Sequence, residues 1–244
     1  MCVCVCVCVC VCVCVCVNLS PSLPLETHPH TPQVALALAR VSDEDMQLRA
    51  LRMLRLLCLT GFNKFNMQKS FSVIHDLVPL LARSDVRQLE IVTESLAHLA
   101  STDNAMYGEN ARALGEARAM KPLMVLARSK HHVVHRNATW ALACMTAHDK
   151  NHVKMRASID TLLTVVAHGS RDAQRYAVMA ISNLAATERT REMLRERNTE
   201  AILRKCAQAN SGDQMISQLV NRWALTNLKR NGTHVFNIPP PTGM

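Results

Sequence analysis

Two kinds of side chain in this sequence are spaced so that they could do chemistry. The first is histidine. "SKHHVVHRN" puts His131 and His135 four residues apart, and "AHDKNH" does the same with His148 and His152. On a helix, residues i and i+4 share a face, the spacing of two imidazoles on one zinc ion. No cysteine or carboxylate completes either set, so the expectation is no metal and no cofactor. These histidines read as solvated helix ends with some pH sensitivity. The second is "RWALTN", residues 222–227, where Trp223 and Asn227 lie one helical turn apart. An amide donates and accepts together, so it can satisfy a peptide N–H and C=O, and an indole offers a flat apolar wall. That is recognition chemistry. For catalysis the sequence offers no phosphate-binding glycine loop, nucleophile elbow or His-Glu-x-x-His. Its 7 glycines leave little material for active-site loops. The expectation is a binding protein, not an enzyme.

Positioning such residues requires a core, and the composition says what kind. Hydrophobic residues make up 49% of the 244 positions but aromatics only 3%. A β-sandwich would want more aromatic and β-branched residues and more turn glycines, so the balance favours helices packed with Leu, Ala, Val and Met. The formal net charge of +9 favours an acidic partner of some kind, whether protein, nucleic acid or membrane surface.

Eight of the 11 cysteines belong to the opening "MCVCVCVCVCVCVCVCV". Strict Cys-Val alternation is what a TG dinucleotide repeat encodes. The run therefore reads as translated microsatellite or as a start codon assigned too far upstream. It lacks the basic region and cleavage site of a signal peptide, and it is at the lower length limit for a membrane span. Membrane attachment is not expected unless these cysteines carry lipid. The remaining three, Cys58, Cys144 and Cys206, are dispersed in apolar contexts and suggest a reducing compartment, cytoplasmic or nuclear. "NLSPSLPLETHPHTP" then reads as a linker, and "THVFNIPPPTGM" as a proline-rich tail. Residues 1–32 and 231–244 are accordingly expected to be disordered around a folded region, 33–230.

Within that region the chain repeats. "RLLCLT" (55–60), "SLAHLA" (95–100), "ALACMT" (141–146), "AISNLA" (180–185) and "ALTNLK" (224–229) start 40, 46, 39 and 44 residues apart. "PLLARS" (79–84) and "MVLARS" (124–129) echo each other upstream. The unit from residue 149 shows a first helix "DKNHVKMR", a second "SIDTLLTVVAH" and a third "DAQRYAVMAISNLAAT". Ser170 or Asp172 is the expected N-cap of the third. Leu162, Leu163, Val165 and Val166 form one apolar stripe, and Tyr176, Ala177, Ala180, Ile181 and Leu184 another.

A period of 40–47 residues with three helices per unit resembles the armadillo family, and "VVHRNATWALACMTAHDKN" and "AQRYAVMAISNLA" resemble its third helices. The resemblance implies an all-α, right-handed α-solenoid of about five armadillo repeats. The first unit lacks its first helix, which implies fraying over 33–60 or a missing N-terminal portion.

It also implies a concave groove lined by third helices, where an asparagine holds peptide backbone, often beside a tryptophan one turn earlier. The asparagine position falls on Cys58, His98, Cys144, Asn183 and Asn227. The tryptophan position falls on Leu54, Glu94, Trp140, Met179 and Trp223. Arg136 and Arg175, a turn further back, would repel a basic peptide. The resulting expectation is a non-enzymatic scaffold holding an extended acidic protein segment, through Trp223, Asn227 and Asn183 first and Trp140, His98, Arg136 and Arg175 second. Each tryptophan also reads as ordinary interhelical packing, and Asn183 as a hydrogen bond to a neighbouring unit's backbone.

Two alternatives stay open. One is an importin-alpha-like adaptor for basic localisation signals, which "RWALTN" resembles. The other is nucleic-acid or anionic-surface binding along Arg49, Arg52 and Arg55. "ERTREMLRER" reads as i, i+4 pairing among Glu188, Glu192, Glu196 and the arginines.

Overall fold

The computed structural model describes residues 31–59, 73–101 and 107–229, and every regular element among them is helical. The Cys-Val run, the linker to residue 30 and the tail from 230 lie outside the described residues. Thr31 and Pro32, assigned above to the linker, instead open helix α1, Thr31–Leu38. Proline suits a first turn because the N–H it lacks would have no partner there.

The repeat is visible element by element. Unit one shows α1 and the long α2 (Glu44–Leu59). Unit two shows α3 (Val73–Leu77), continued by a 3-10 turn over Val78–Ala82, and α4 (Val86–Ala100). Unit three is α5 (Tyr107–Glu116), α6 (Met120–Leu126) and α7 (His132–Thr146). Unit four is α8 (Asp149–Met155), α9 (Ile159–His168) and α10 (Arg171–Ala185). Unit five is α11 (Glu188–Glu196), α12 (Thr199–Ala209) and a third helix in three pieces: α13 (Gln214–Gln218), a π-helical segment Leu219–Ala224, and α14 (Leu225–Lys229).

The two stripes read from the unit-four sequence are both buried, from Leu162 to Val166 on α9 and from Tyr176 to Leu184 on α10. The N-cap expectation is met only in backbone: Ser170 is extended before α10, but its hydroxyl makes no capping bond. Asp172 instead pairs with Arg175 at 3.0 Å.

Consecutive third helices lie side by side, α2 on α4, α4 on α7, α7 on α10 and α10 on the π segment. No unit could bury its faces alone, so stability resides in these neighbour interfaces. Two recurring latches fix the turns within and between units. A third-helix side chain bonds a carbonyl eight residues back at the end of the second helix: His135 Nδ1 reaches Ala127 O at 2.6 Å, and Gln174 Nε2 reaches Val166 O at 2.9 Å. A first-helix side chain bonds a carbonyl near the end of the preceding third helix, as Asn110 does to Leu99, Asn151 to Met145 and Thr190 to Leu184. Each satisfies a helix-terminal carbonyl that has no partner inside its own helix.

The π segment has an arithmetic cause. Asp213, the N-cap of α13, lies 43 residues after Ser170, the N-cap of α10, whereas Asn227 lies 44 after Asn183. Unit five thus carries one extra residue inside its third helix, and a wide turn is how a helix absorbs one.

Candidate functional site

The asparagine position is buried between neighbouring third helices. Asn227 is 2% exposed and donates from Nδ2 to Ser182 O at 3.1 Å and to Ser182 Oγ at 3.0 Å. Cys144 makes the equivalent weak contact two seams earlier, its Sγ 3.9 Å from Ala97 O. In both cases the partner is the residue just before the asparagine position of the preceding unit. Asn183, fully buried, donates to Thr146 Oγ1 at 3.2 Å. These amides therefore tie unit to unit, Asn227 through a neighbouring unit's backbone and side chain and Asn183 through the Thr146 hydroxyl.

The tryptophans divide. Trp140 is fully buried and forms the centre of a diagonal aromatic file across three third helices. The His98 ring meets it edge-on at 4.7 Å, and Tyr176 stacks on it at 5.7 Å and 20°. Burial holds the Tyr176 phenol well above its ordinary pKa, so it stays neutral. Trp223 lies inside the π segment, only half-buried, with the Arg222 guanidinium 5.2 Å from its ring centroid.

Charge runs along the same face. Arg55 on α2 reaches Glu94 on α4 at 3.3 Å. Burial opposes the Glu94 charge, but His98 and Arg55 outweigh it and hold the carboxyl below its usual range. Arg136 on α7 donates from Nε to Asn137 Oδ1 at 3.1 Å, and no carboxylate among the described residues pairs with it. Arg175 on α10 is already engaged by Asp172 and, at 2.7 Å, by Asp213. The Asp213 carboxyl, disfavoured by burial but favoured more strongly by the Ile216 N–H and Arg175, also lies below its usual range. Of the two arginines expected above to repel a basic peptide, Arg175 is thus paired with carboxylates and Arg136 is not.

The other sequence candidates are absorbed by the fold. His152 is 2% exposed, with Nε2 2.8 Å from Thr146 O and Nδ1 2.6 Å from Thr187 Oγ1. Burial lowers its pKa, although the bond to Thr146 works the other way. His148 Nδ1 accepts from the Lys150 N–H, and His135 is a latch. His152 is thus core, not a solvated helix end. No group of three or more potential metal ligands occurs among the described residues.

Two of the three arginines of the stripe are neutralised, since Arg49 pairs with Asp45 at 2.7 Å and Arg55 with Glu94. In "ERTREMLRER" the expected i, i+4 pairs give way to longer reach. Arg191 is buried on the Ala185 and Ala186 carbonyls and pairs with Glu188 at i, i+3. Arg195 caps Leu228 O, and Arg197 reaches Asp160. Sequence reading missed the latch residues Asn110, Asn151, Thr190 and Gln174; a signal existed for Asn151 and Thr190, each 10 residues after the start of "ALACMT" or "AISNLA", and for Gln174, which like His135 lies 6 before its motif, but Asn110 breaks the spacing at 15. No helix of the described residues is long and apolar enough to cross a membrane.

No family model matches the chain, and no curated protein matches it significantly. Solved structures do resemble it. An engineered protein aligns over 82% of this chain and 80% of its own length, with TM-score 0.73 and 21% identity. A designed armadillo repeat protein aligns over 80% and 81%, with TM-score 0.71 and 21% identity. Another, solved in complex with the peptide (KR)4, aligns over 80% of both chains with TM-score 0.69 and 18% identity. At these identities the likeness speaks to the fold.

Proposed function

On an armadillo-like repeat fold whose third helices lie side by side, we propose that the protein is a non-enzymatic scaffold. It holds an extended, acidic segment of a protein partner along the third-helix face, in the cytoplasm or nucleus. Designed proteins of this fold made for peptide recognition support the class of partner. The observation that carries its sign is Arg136, a half-buried guanidinium on the central third helix with no carboxylate paired to it among the described residues. In this reading Arg136 and Arg55 supply charge, and Trp223 with Arg222 supplies a wall at the unit-five end. Trp140, His98, Asn183 and Asn227 keep the helices beneath in register. Arg175 reaches the partner only by giving up a carboxylate. An importin-like preference for basic segments is less well supported, because Glu94 is spent on Arg55. Phosphate binding along Arg49, Arg52 and Arg55 is less well supported, because Arg49 and Arg55 already hold carboxylates and a single exposed Arg52 makes no cluster.

The chain has 2 tryptophans, both on third helices, so intrinsic fluorescence reports on this face. Titration with an acetylated, amidated alternating Ser-Glu octapeptide is expected to give a saturable change that Arg136→Ala weakens at least fivefold, while (KR)4 gives none. Saturable binding of (KR)4, or Ser-Glu binding indifferent to Arg136→Ala, contradicts the proposal.

A further inference from the structure

One position of the repeat holds a permanent cation in unit five and a titratable base in unit four. Arg191 and His152 each lie six residues after the end of a motif, "AISNLA" or "ALACMT", and each bonds the carbonyl of that motif's last residue. Arg191 Nε donates to Ala185 O at 2.7 Å, and His152 Nε2 is 2.8 Å from Thr146 O. What differs is the counter-ion. Arg191, its side chain only 3% exposed, has Glu188 from three residues back at 2.7 Å. Three residues before His152 stands Asp149, but its side chain is 85% exposed and turned to His148 Nδ1 and the Lys150 N–H. A charge at this buried place is therefore matched in unit five and unmatched in unit four.

The bonds of His152 fix where a proton acts. A carbonyl only accepts, so Nε2 carries the hydrogen toward Thr146, and Nδ1 keeps the lone pair that takes the Thr187 hydroxyl at 2.6 Å. Thr187 is the N-cap of α11, and its hydroxyl makes no capping bond there. One ring on the first helix of unit four thus pins the end of unit three to the start of unit five. A second proton enters at Nδ1. The Thr146 bond keeps its direction, while the Thr187 bond loses its acceptor and two hydrogens face each other.

The charged groups around the ring do not neutralise that state. On α8 itself are His148, Asp149, Lys150 and Lys154, and Arg156 in the turn after it bonds Val153 O. On α5, Glu109, Arg112 and Glu116 pair among themselves. The adjoining half of α7 brings the Cys144 thiol, set on Ala97 O, and α10 has no ionisable side chain after Tyr176. On α11, Glu188 is held by Arg191, Arg195 caps Leu228 O, and Arg189 and Glu192 are exposed. Asp149 favours a charged His152 and His148 opposes it. Burial outweighs Asp149 and the Thr146 bond, and holds the imidazole below its ordinary range.

We propose that His152 is an acid-sensitive pin, and that its protonation releases unit five, residues 187–229, ahead of the rest of the solenoid. Among the described residues unit five has a neighbouring unit on one side only, so it can part at a single interface while units two to four keep theirs. Trp223 and Arg222 leave with it, which removes one end of the third-helix face. The inference does not depend on what that face binds.

Linkage sets the sign and the size. The pinned ring binds a proton more weakly than a released one, so unit five is fully held above the ordinary histidine value near pH 6.5 and loosens as pH falls below it. One proton lowers its protection by about tenfold at most between pH 7.5 and 5.5.

The experiment is hydrogen–deuterium exchange of the full chain, read by mass spectrometry at pH 7.5 and 5.5 and corrected for the intrinsic pH dependence of amide exchange. Protection of 188–229 is expected to fall by about three- to tenfold, and that of α4 and α7 by less than about twofold. His152→Gln, whose amide can make both bonds and takes no proton, should remove the difference. An equal fall in every unit, no fall in 188–229, or the same selective fall in His152→Gln overturns the proposal. Circular dichroism establishes that the variant is folded. If it is not, Thr187→Val, which takes away α11's half of the pin, decides. At pH 7.5 it must lower the protection of 188–229 more than that of α4 and α7, and a uniform or absent fall overturns the proposal.

Discussion

Replacing Trp140 by alanine should unlock the middle of the solenoid, and the cost can be worked from its surroundings. The side chain is fully buried between α4 and α10 partners, so truncation forfeits a complete indole and leaves a cavity, worth about 3–5 kcal/mol. Two ring contacts go with it, to His98 and to Tyr176, each adding about 0.5–1.5 kcal/mol beyond area. The indole N–H makes no hydrogen bond, so no polar loss enters. The expected total is roughly 4–8 kcal/mol by these terms, a large share of a domain's stability. Trp223→Ala should cost under about 2 kcal/mol, because the ring is only half-buried and the guanidinium over it belongs to the exposed Arg222. Urea unfolding followed by circular dichroism measures both. Acrylamide quenching of Trp140→Phe and Trp223→Phe, each keeping one tryptophan, should find the remaining Trp223 accessible and the remaining Trp140 protected. Equal costs for the two alanine variants, or a readily quenched Trp140, would refute the division into one structural and one presented tryptophan.

Two further outcomes follow from the seams. His152 is buried with a lowered pKa, so the unfolded chain binds its proton first. The stability it confers is complete above the unfolded histidine value near pH 6.5 and is lost as pH falls below it, at no more than about 1.4 kcal/mol per pH unit. His152→Gln should therefore flatten the fall in urea midpoint between pH 7.5 and 5.5 relative to wild type; an unchanged slope would remove His152 as its source. Asn227→Ala should cost about 1–3 kcal/mol by leaving Ser182 Oγ without its donor, and a double-mutant cycle with Ser182→Ala should show coupling above about 0.5 kcal/mol. Strict additivity would mean that the α10–α14 seam is not held there.

The helices and their period were legible because each unit writes its own apolar stripes, as "SIDTLLTVVAH" and "DAQRYAVMAISNLAAT" do for α9 and α10. The π segment was legible in principle too, since Asp213 and Asn227 keep different distances from their unit-four counterparts. What the residues did not declare was which way a polar side chain spends its bonds. Asn227 and Asn183 sit where a peptide-binding amide would, yet their donors go to Ser182 and Thr146, whose place beside them depends on how the units stack. His148 and His152 have metal spacing on a helix, but the Thr146 carbonyl and Thr187 hydroxyl that claim His152 come from flanking helix ends. Arg175 counted as groove charge until Asp213, 38 residues on, met it. In a solenoid the local sequence sets each helix, while neighbouring units decide what its polar faces meet.

The most direct test of the central claim is paramagnetic broadening of the isotope-labelled protein by a Ser-Glu octapeptide carrying a nitroxide at its N-terminus. Signals from the third helices, those of Arg55, Arg136 and Trp223 among them, should broaden along one continuous track while those of α6 and α9 stay sharp. Broadening centred on second-helix residues such as Val125 and Thr164, with Arg136 untouched, would contradict the account.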